Sequence, residues 1–361
     1  MNHYYAMIMA GGGGTRLWPK SRQNTPKQLL PLVEDDSMFK ISVERLAPLF
    51  SPERIYVVTG ELYLDALRKD APAIPAENFI VEPYGKDSGP AAALGMAFIQ
   101  KRDPEAVIAI LTADHHISEK DKFRDVLAAA YDIAITEGLI VTLGISPSFP
   151  STAFGYIKRG SHLGEKGNFN YYHSEGFKEK PSPHIALQYL RSSRYSWNSG
   201  MFIWTAQRAL QEFAAQQPQM HAMIQAITDA IGTDHYAATL KTAWEKIERL
   251  SLDYAVMERA QDMCVIPIDI GWSDVGSWAA LFEILETDSV GNTFKGNTQE
   301  RVNIDTQQTM VYSDRLVVTI GVRDIIVIDT PDALLICHRD RTQEVKDVVK
   351  ALHNQSLDEY L

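Results

Sequence analysis

A chain of 361 residues, 45% hydrophobic and 22% charged, has the composition of a globular protein with ample length for a buried core. Its formal net charge of −11 excludes a general nucleic-acid binder, which carries a basic face, but leaves room for a nucleotide held by a few well-placed cations. No apolar run approaches the roughly 18 residues of a spanning helix, and MNHYYAMIMAGGG enters a strand pattern without a basic leader, so a cytoplasmic protein without a membrane partner is expected.

The first predicted element is the apolar run of residues 4–10, a buried strand ending at Ala10. It flows into Gly11, Gly12, Gly13 and Gly14, then Thr15 and Arg16, with Lys27 further on. Consecutive glycines expose backbone N–H groups and turn through positive φ, and two cations beside them suit a polyphosphate. The Walker pattern fails, because Gly85-Lys86 is followed by Asp87. The dinucleotide fingerprint fails as well, because Arg16 or Leu17 stands where its third glycine belongs.

Strand and helix then alternate. The spacing predicts a helix over 38–49, a strand over 55–59, a helix over 62–68 and a short strand over 79–82. A helix is opened by Pro90 and runs through 91–101, followed by a strand over 107–112, a helix over 123–136 and a strand over 139–144. This rhythm implies right-handed crossovers and a mostly parallel sheet, with ligands at the carboxyl ends of its strands. The glycine loop, Glu82-Pro83 and Asp114 all follow strands and are expected to share one rim. From residue 145 the rhythm loosens into short strands over 156–158, 172–180 and 201–205, then helices over 206–250, read as an acceptor-side lobe. The tail has short β runs over 309–313, 316–321, 325–330 and 333–337 and a helix over 343–353. It is expected to serve packing or a homodimer contact. Cys264 and Cys337 lie far apart in strand-like runs and are expected to be reduced thiols.

Several polar segments carry chemistry. Asp114, in TADHH, is placed to hold a divalent ion against phosphate oxygens, or simply to cap a turn. Zinc is disfavoured at His115-His116, because no further His or Cys lies nearby at ligand spacing. Asp274, between Trp272 and Trp278, reads as a second metal carboxylate or as part of a packed turn. Glu179-Lys180, in FKEKPS, reads as a sugar- and phosphate-binding pair or as a surface ion pair. Asn198, in WNSG, offers an amide to sugar hydroxyls or caps its own turn.

Together these blocks resemble the sugar-nucleotide pyrophosphorylases, and within them the mannose-1-phosphate guanylyltransferases. AGGGGTRLWPKSRQNTPKQLLPL, FKEKPS, YSWNSGMFIW, LDYAVME and IGWSDVGSW stand in that family's order, and VTIGVRDIIVIDTPDALLICHRDRTQEVK is similar to its C-terminal region. The resemblance covers nearly the whole chain. It implies an α/β fold, with a Rossmann-like sheet of nucleotide-diphospho-sugar transferase type over 1–289. The nucleotide half would cover about 1–144 and the sugar-phosphate half about 145–289, and 290–361 would form a partial left-handed β-helix with a closing helix. The implied reaction joins GTP and a sugar 1-phosphate. Arg16, Lys27, Asp114 and Lys180 would be catalytic, and Mg2+ would be held by Asp114 and Asp274. The nucleotide would lie against Ala10, Gly11, Gly12, Gly13, Gly14, Thr15, Arg16, Lys27, Glu82, Pro83, Gly85 and Ser88, and the sugar phosphate against Gly155, Glu179, Lys180 and Asn198. One block departs from the family form close to EPxxRNTAPA. Here it runs Glu82-Pro83-Tyr84-Gly85-Lys86-Asp87-Ser88-Gly89-Pro90-Ala91, and it bears on base and sugar preference. The alternatives are the same transfer on glucose or heptose 1-phosphate or with another nucleotide, a silent sugar-nucleotide-binding regulatory subunit and, more distantly, a dehydrogenase.

Overall fold

The structure is a computed structural model that describes residues 1–296 and 301–361. The expected C-terminal region, 290–361, thus includes four residues, 297–300, that lie outside the described ones. The chain divides into two compact units. The first comprises Met1–Gly11, Ser42–Ala113 and Ile117–Trp272; the second comprises Gly12–Ile41, Asp114–His116 and Ser273–Leu361. The glycine loop beyond Gly11, and Asp114 with it, therefore group with the tail.

The first unit is built on a nine-stranded sheet. Its strands are β1 (Tyr4–Ala10), β2 (Ile55–Gly60), β3 (Phe79–Glu82), β4 (Val107–Thr112), β5 (Ile140–Ile145), β6 (Tyr156–Lys166), β7 (Phe169–Lys178), β8 (Tyr195–Thr205) and β9 (Met263–Ile268). Their order is β3-β2-β1-β4-β8-β5-β9-β7-β6. The run β3-β2-β1-β4 is parallel throughout, as is the pair β5-β9, and β8 enters antiparallel between β4 and β5. The parallel strands are buried along nearly their whole length, which is why they read as continuous Val, Ile and Leu runs rather than alternating ones. Met7, Val58, Ile110 and Phe202 from the sheet meet Leu94 and Met96 of the helix Ser88–Arg102 and Phe213, Ile224 and Trp244 of the later helices. Each such side chain contributes about 1.5–3 kcal/mol of apolar burial.

Several expectations shift at their edges, among them the strand over 201–205, which begins at Tyr195. The helix predicted over 38–49 ends at Glu44, because Pro48 cannot continue it and restricts the residue before it. The strand predicted over 156–158 continues to Lys166 and pairs with β7 as a long hairpin. Its outer residues are exposed or part-exposed and, Leu163 apart, carry no large apolar side chain, so there is no apolar alternation to read.

In the second unit the tail coils. Strands β10 (Thr293–Lys295), β12 (Met310–Tyr312), β14 (Ile325–Asp329) and β15 (Leu334–His338) form one sheet in that order. β11 (Arg301–Ile304) pairs in parallel with β13 (Val317–Ile320) in another. Up to β14, successive strands thus alternate between two sheets, and Thr293, Met310 and Ile326 stack in register. Met310, Tyr312, Ile326, Ile328 and Leu335 share a core with Leu17, Trp18, Leu30 and Leu32 of the loop segment and with Trp278. Thr306, Thr319 and Asn303 form a hydrogen-bonded ladder with 2.9 Å links, while Val318 and Ile320 point outward and are exposed.

Candidate active site

In the second unit, Gly14 adopts φ 62 and precedes the short helical turn Thr15–Leu17. A β-carbon there would lie 2.5 Å from Cβ of Lys27, so only glycine lets the two segments approach. The Gly14 carbonyl accepts from the Leu17 amide at 2.9 Å and from the Ser21 hydroxyl at 2.7 Å, which fixes the turn from both sides. Arg16 extends to Gln343, with Nη1 donating to Oε1 at 3.2 Å.

Lys27 is drawn inward. Its side chain is 7% exposed, and Nζ lies 2.8 Å from Oδ2 of Asp114. The same ammonium donates to the main-chain carbonyl of Asp274. Burial opposes the charge of Asp114, but Lys27 and His115 hold its carboxyl below the usual carboxylate range. The Asp274 carboxylate turns back on its own loop, where Oδ1 accepts from the Gly276 amide at 3.1 Å. One lysine thereby ties both aspartates to the end of the glycine loop. Among the described residues no group of three or more His, Cys, Asp or Glu is assembled as a metal cage.

This loop is clamped by the tail. The indole of Trp278 donates to the Trp18 carbonyl at 2.9 Å, and that of Trp18 donates to the Tyr360 carbonyl at 2.7 Å. Lys20 lies 4.2 Å from the centre of the Tyr312 ring, and Arg22 pairs with Asp332 at 3.0 Å. The tail was expected to serve packing or a dimer contact; it packs on the glycine-loop segment.

The first unit carries a second cluster. Gly155, Glu179, Lys180 and Asn198, scattered in sequence, are neighbours here. The Asn198 amide donates to the Gly155 carbonyl at 2.8 Å, and a β-carbon on Gly155 would run into Oε2 of Glu179. Glu179 is buried; Oε1 pairs with Nζ of Lys180 at 2.9 Å, whereas Oε2 is a buried acceptor with no hydrogen-bond donor among the described residues. Such an acceptor is costly to leave unmade and suits a hydroxyl donor. Lys180 holds φ 44, a backbone strain of the kind that collects at functional sites. Burial lowers its affinity for a proton, but Glu179 and Asp253 outweigh that and raise it.

Two carboxylates here had gone without a role. Both lie in LDYAVME, a block that carried the resemblance without any residue being singled out. Asp253 accepts from the Asn198 side-chain amide at 2.9 Å, and Glu258 accepts from the Glu179 backbone amide at 3.3 Å. The signal was the presence of two acids in that block, but acids five residues apart do not announce which distant side chains they meet.

At the end of β3, Glu82 is buried beside Gly11, and burial pushes its carboxyl up to about 7 although the Lys86 backbone amide donates to it. The departing segment that follows is held by the helix Tyr236–Lys246. Lys86 Nζ donates to the Glu245 carbonyl at 3.0 Å and to that of Ile247, and the Trp244 indole donates to the Tyr84 carbonyl at 2.8 Å. A lysine on the last carbonyls of a helix is favourable for the helix dipole. Ser88, placed among the nucleotide-binding residues, accepts from the Leu252 amide at 2.9 Å. Pro83 and Gly85 lie on the exposed stretch between them.

Comparison with known proteins extends these observations to the whole chain. The family model "Nucleotidyl transferase" matches residues 5–290, and the model "MannoseP isomerase/GMP-like beta-helix domain" matches residues 299–352. The mannose-1-phosphate guanylyltransferase of Escherichia coli (strain K12) is 36% identical over 354 residues, covering 96% of this chain and 73% of that protein. The xanthan biosynthesis protein XanB of Xanthomonas campestris pv. campestris (strain B100) is 36% identical over 354 residues, covering 98% of this chain and 74% of its own length. A crystal structure from Thermus thermophilus, described as a mannose-1-phosphate geranyltransferase, matches with TM-score 0.86 at 35% identity, covering 97% of this chain and 99% of that one. On the glycine loop, the nine-stranded sheet and these matches, the chain belongs to the nucleotidyl transferase family, with a β-helix domain of the MannoseP isomerase/GMP-like type behind it.

Proposed function

We propose that the protein converts GTP and mannose 1-phosphate to GDP-mannose and pyrophosphate, by in-line attack of the sugar phosphate on the α-phosphorus. The observation that carries the chemistry is the buried Lys27 at the end of a glycine loop, 2.8 Å from Asp114. The relatives named as mannose-1-phosphate guanylyltransferases, alike over nearly the full chain, support the choice of sugar and base. Two anions must be brought together, so the protein's work is alignment and charge neutralisation rather than covalent chemistry. Gly11 to Gly14 and Thr15 would cradle the triphosphate with their amides, and Arg16 and Lys27 would stabilise the leaving pyrophosphate. Lys180 would anchor the acceptor phosphate, with Gly155, Glu179 and Asn198 around the sugar.

The donor set of Asp114 and Asp274 fits Mg2+. That ion is commonly held by one or two carboxylates, with waters and substrate phosphates completing its shell. Asp114, kept anionic beside Lys27, suits this role. When bound, the ion would supply Lewis-acid neutralisation of phosphate oxygens. The reading also places the enzyme in the cytoplasm; among the described residues no helix is long and apolar enough to cross a membrane.

The test is pyrophosphate release from the purified protein over a grid of GTP, ATP, UTP and dTTP against mannose, glucose and heptose 1-phosphates, with and without Mg2+. Turnover highest with GTP, mannose 1-phosphate and Mg2+ is expected. A maximum at another pairing would replace the substrates. Tight sugar-nucleotide binding without turnover anywhere would make the protein a regulatory subunit.

A further inference from the structure

The acceptor cluster contains more acid than the reaction uses. Glu179, Asp253 and Glu258 converge there, and Lys180 is the ammonium paired with one of them. Asp253 begins the wide helical turn Asp253–Met257, and its Oδ1 takes the Asn198 amide N–H at 2.9 Å. The other end of the Asn198 side chain is also fixed, because Oδ1 accepts from the Gly200 amide at 3.0 Å. Asn198 is therefore locked in one orientation, and Asp253 is the side chain that selects it. Glu258, one turn on, holds the backbone of Glu179 at 3.3 Å. This stretch thus sets two of the residues expected to face the sugar, Asn198 and Glu179.

We propose that Asp253 is a positioning residue of the acceptor site, aiming Asn198 at the sugar through the hydrogen bond it accepts from the side-chain amide. This rests on reading the cluster as the sugar 1-phosphate site. Two ionised carboxylates sharing one lysine would compete for it, and an ionised Asp253 would pull Lys180 off Glu179 or push Glu179 away. The charged and titratable groups facing Asp253 are Glu179 and Lys180, with Tyr254 acting on Lys180 and Glu258 bound behind Glu179. Burial first and Glu179 second push the Asp253 carboxyl up to about 7, consistent with a proton retained below neutrality. The acceptor site should then be strongest below about pH 7 and weaken above it.

The experiment measures calorimetric dissociation constants of mannose 1-phosphate and glucose 1-phosphate, and separately of GTP, for wild type, Asp253→Ala and Asp253→Asn at about pH 6 and about pH 8.5. An asparagine mimics the protonated acid and still accepts from Asn198. Asp253→Asn should therefore match wild type at the lower pH and bind more tightly than wild type at the higher. Comparing variants at one pH cancels the substrate's own phosphate ionisation near pH 6. Asp253→Ala should weaken sugar-phosphate binding roughly tenfold at about pH 6, the loss of about one hydrogen bond, with GTP binding unchanged. Unchanged sugar-phosphate binding in Asp253→Ala, or an Asp253→Asn variant that weakens with pH as wild type does, overturns the role of Asp253 alone. A wild type that binds neither sugar phosphate overturns the acceptor reading and this proposal with it. Should the alanine variant fail to fold, the asparagine variant decides.

Discussion

An ammonium group as buried as that of Lys27, 7% exposed and 2.8 Å from a carboxylate, is a costly arrangement unless its charge is put to use. Lys27→Ala removes the cation proposed to meet the leaving pyrophosphate, so kcat should fall by about 10²- to 10³-fold, the usual effect of deleting one transition-state donor. Single-turnover kinetics with saturating nucleotide checks this; a rate within a few-fold of wild type would remove Lys27 from the chemistry. Gly155 makes the complementary case on the acceptor side. Gly155→Ala places a methyl group against Oε2 of Glu179 and should raise KM for the sugar phosphate roughly tenfold while leaving KM for GTP within about twofold. Lys27 was visible in the sequence as a lysine after a glycine loop, whereas Gly155 was expected at the sugar phosphate only through the family resemblance. That Lys27 meets Asp114, 87 positions away, was not visible, because nothing in the local pattern of either records the meeting.

Trp278 shows what the tail does as an element. It is wholly buried, packs edge-on against Tyr312 of β12, and donates through its indole to the carbonyl of Trp18 in the glycine-loop segment. The β-coil and the loop thus share one core, so the loop's shape is set by strands from the far end of the chain. Trp278→Ala should destabilise the protein by about 3–5 kcal/mol through the cavity it leaves. Trp278→Phe, which keeps most of the volume, should lose considerably less. Urea unfolding of the two variants separates them; equal, small losses would mean that this core does not hold the loop. The strands of the coil were legible as β-rich runs between Asn, Asp and Gly turns. Their use as a clamp was not, because the apolar side of each short run does not say what it covers.

For the molecule as a whole, two acids in the first unit impose a pH signature. Glu82, by burial, and Asp253, by burial and then Glu179, are both pushed up to about 7. In the unfolded chain such groups titrate near about 4. Between those values the native state retains protons that the unfolded state has released, so their contribution to stability falls as pH rises through the window and is fully lost above about 7. Glu82→Gln should raise the melting temperature at about pH 8 and leave it close to wild type at about pH 4. Calorimetry at both values checks this, and a variant less stable at both would show that the carboxylate is a structural acceptor. The opposite sign belongs to Asp329, which Arg315 and Ser313 hold below the ordinary range despite its burial, and which stabilises only once ionised. The sequence by itself determined the alternation of strands and helices, the glycine loop with cations behind it and the inventory of acids and lysines, because each of these is written in residue types and apolar spacing over a few neighbouring positions. Only the tertiary structure decided that the loop and Asp114 group with the tail, that one lysine holds two aspartates, and that Asp253 and Glu258 stand behind Asn198 and Glu179. Those contacts come from sheet order and chain closure, which bring together groups 55 to 327 positions apart and leave no periodic trace in the chain between them.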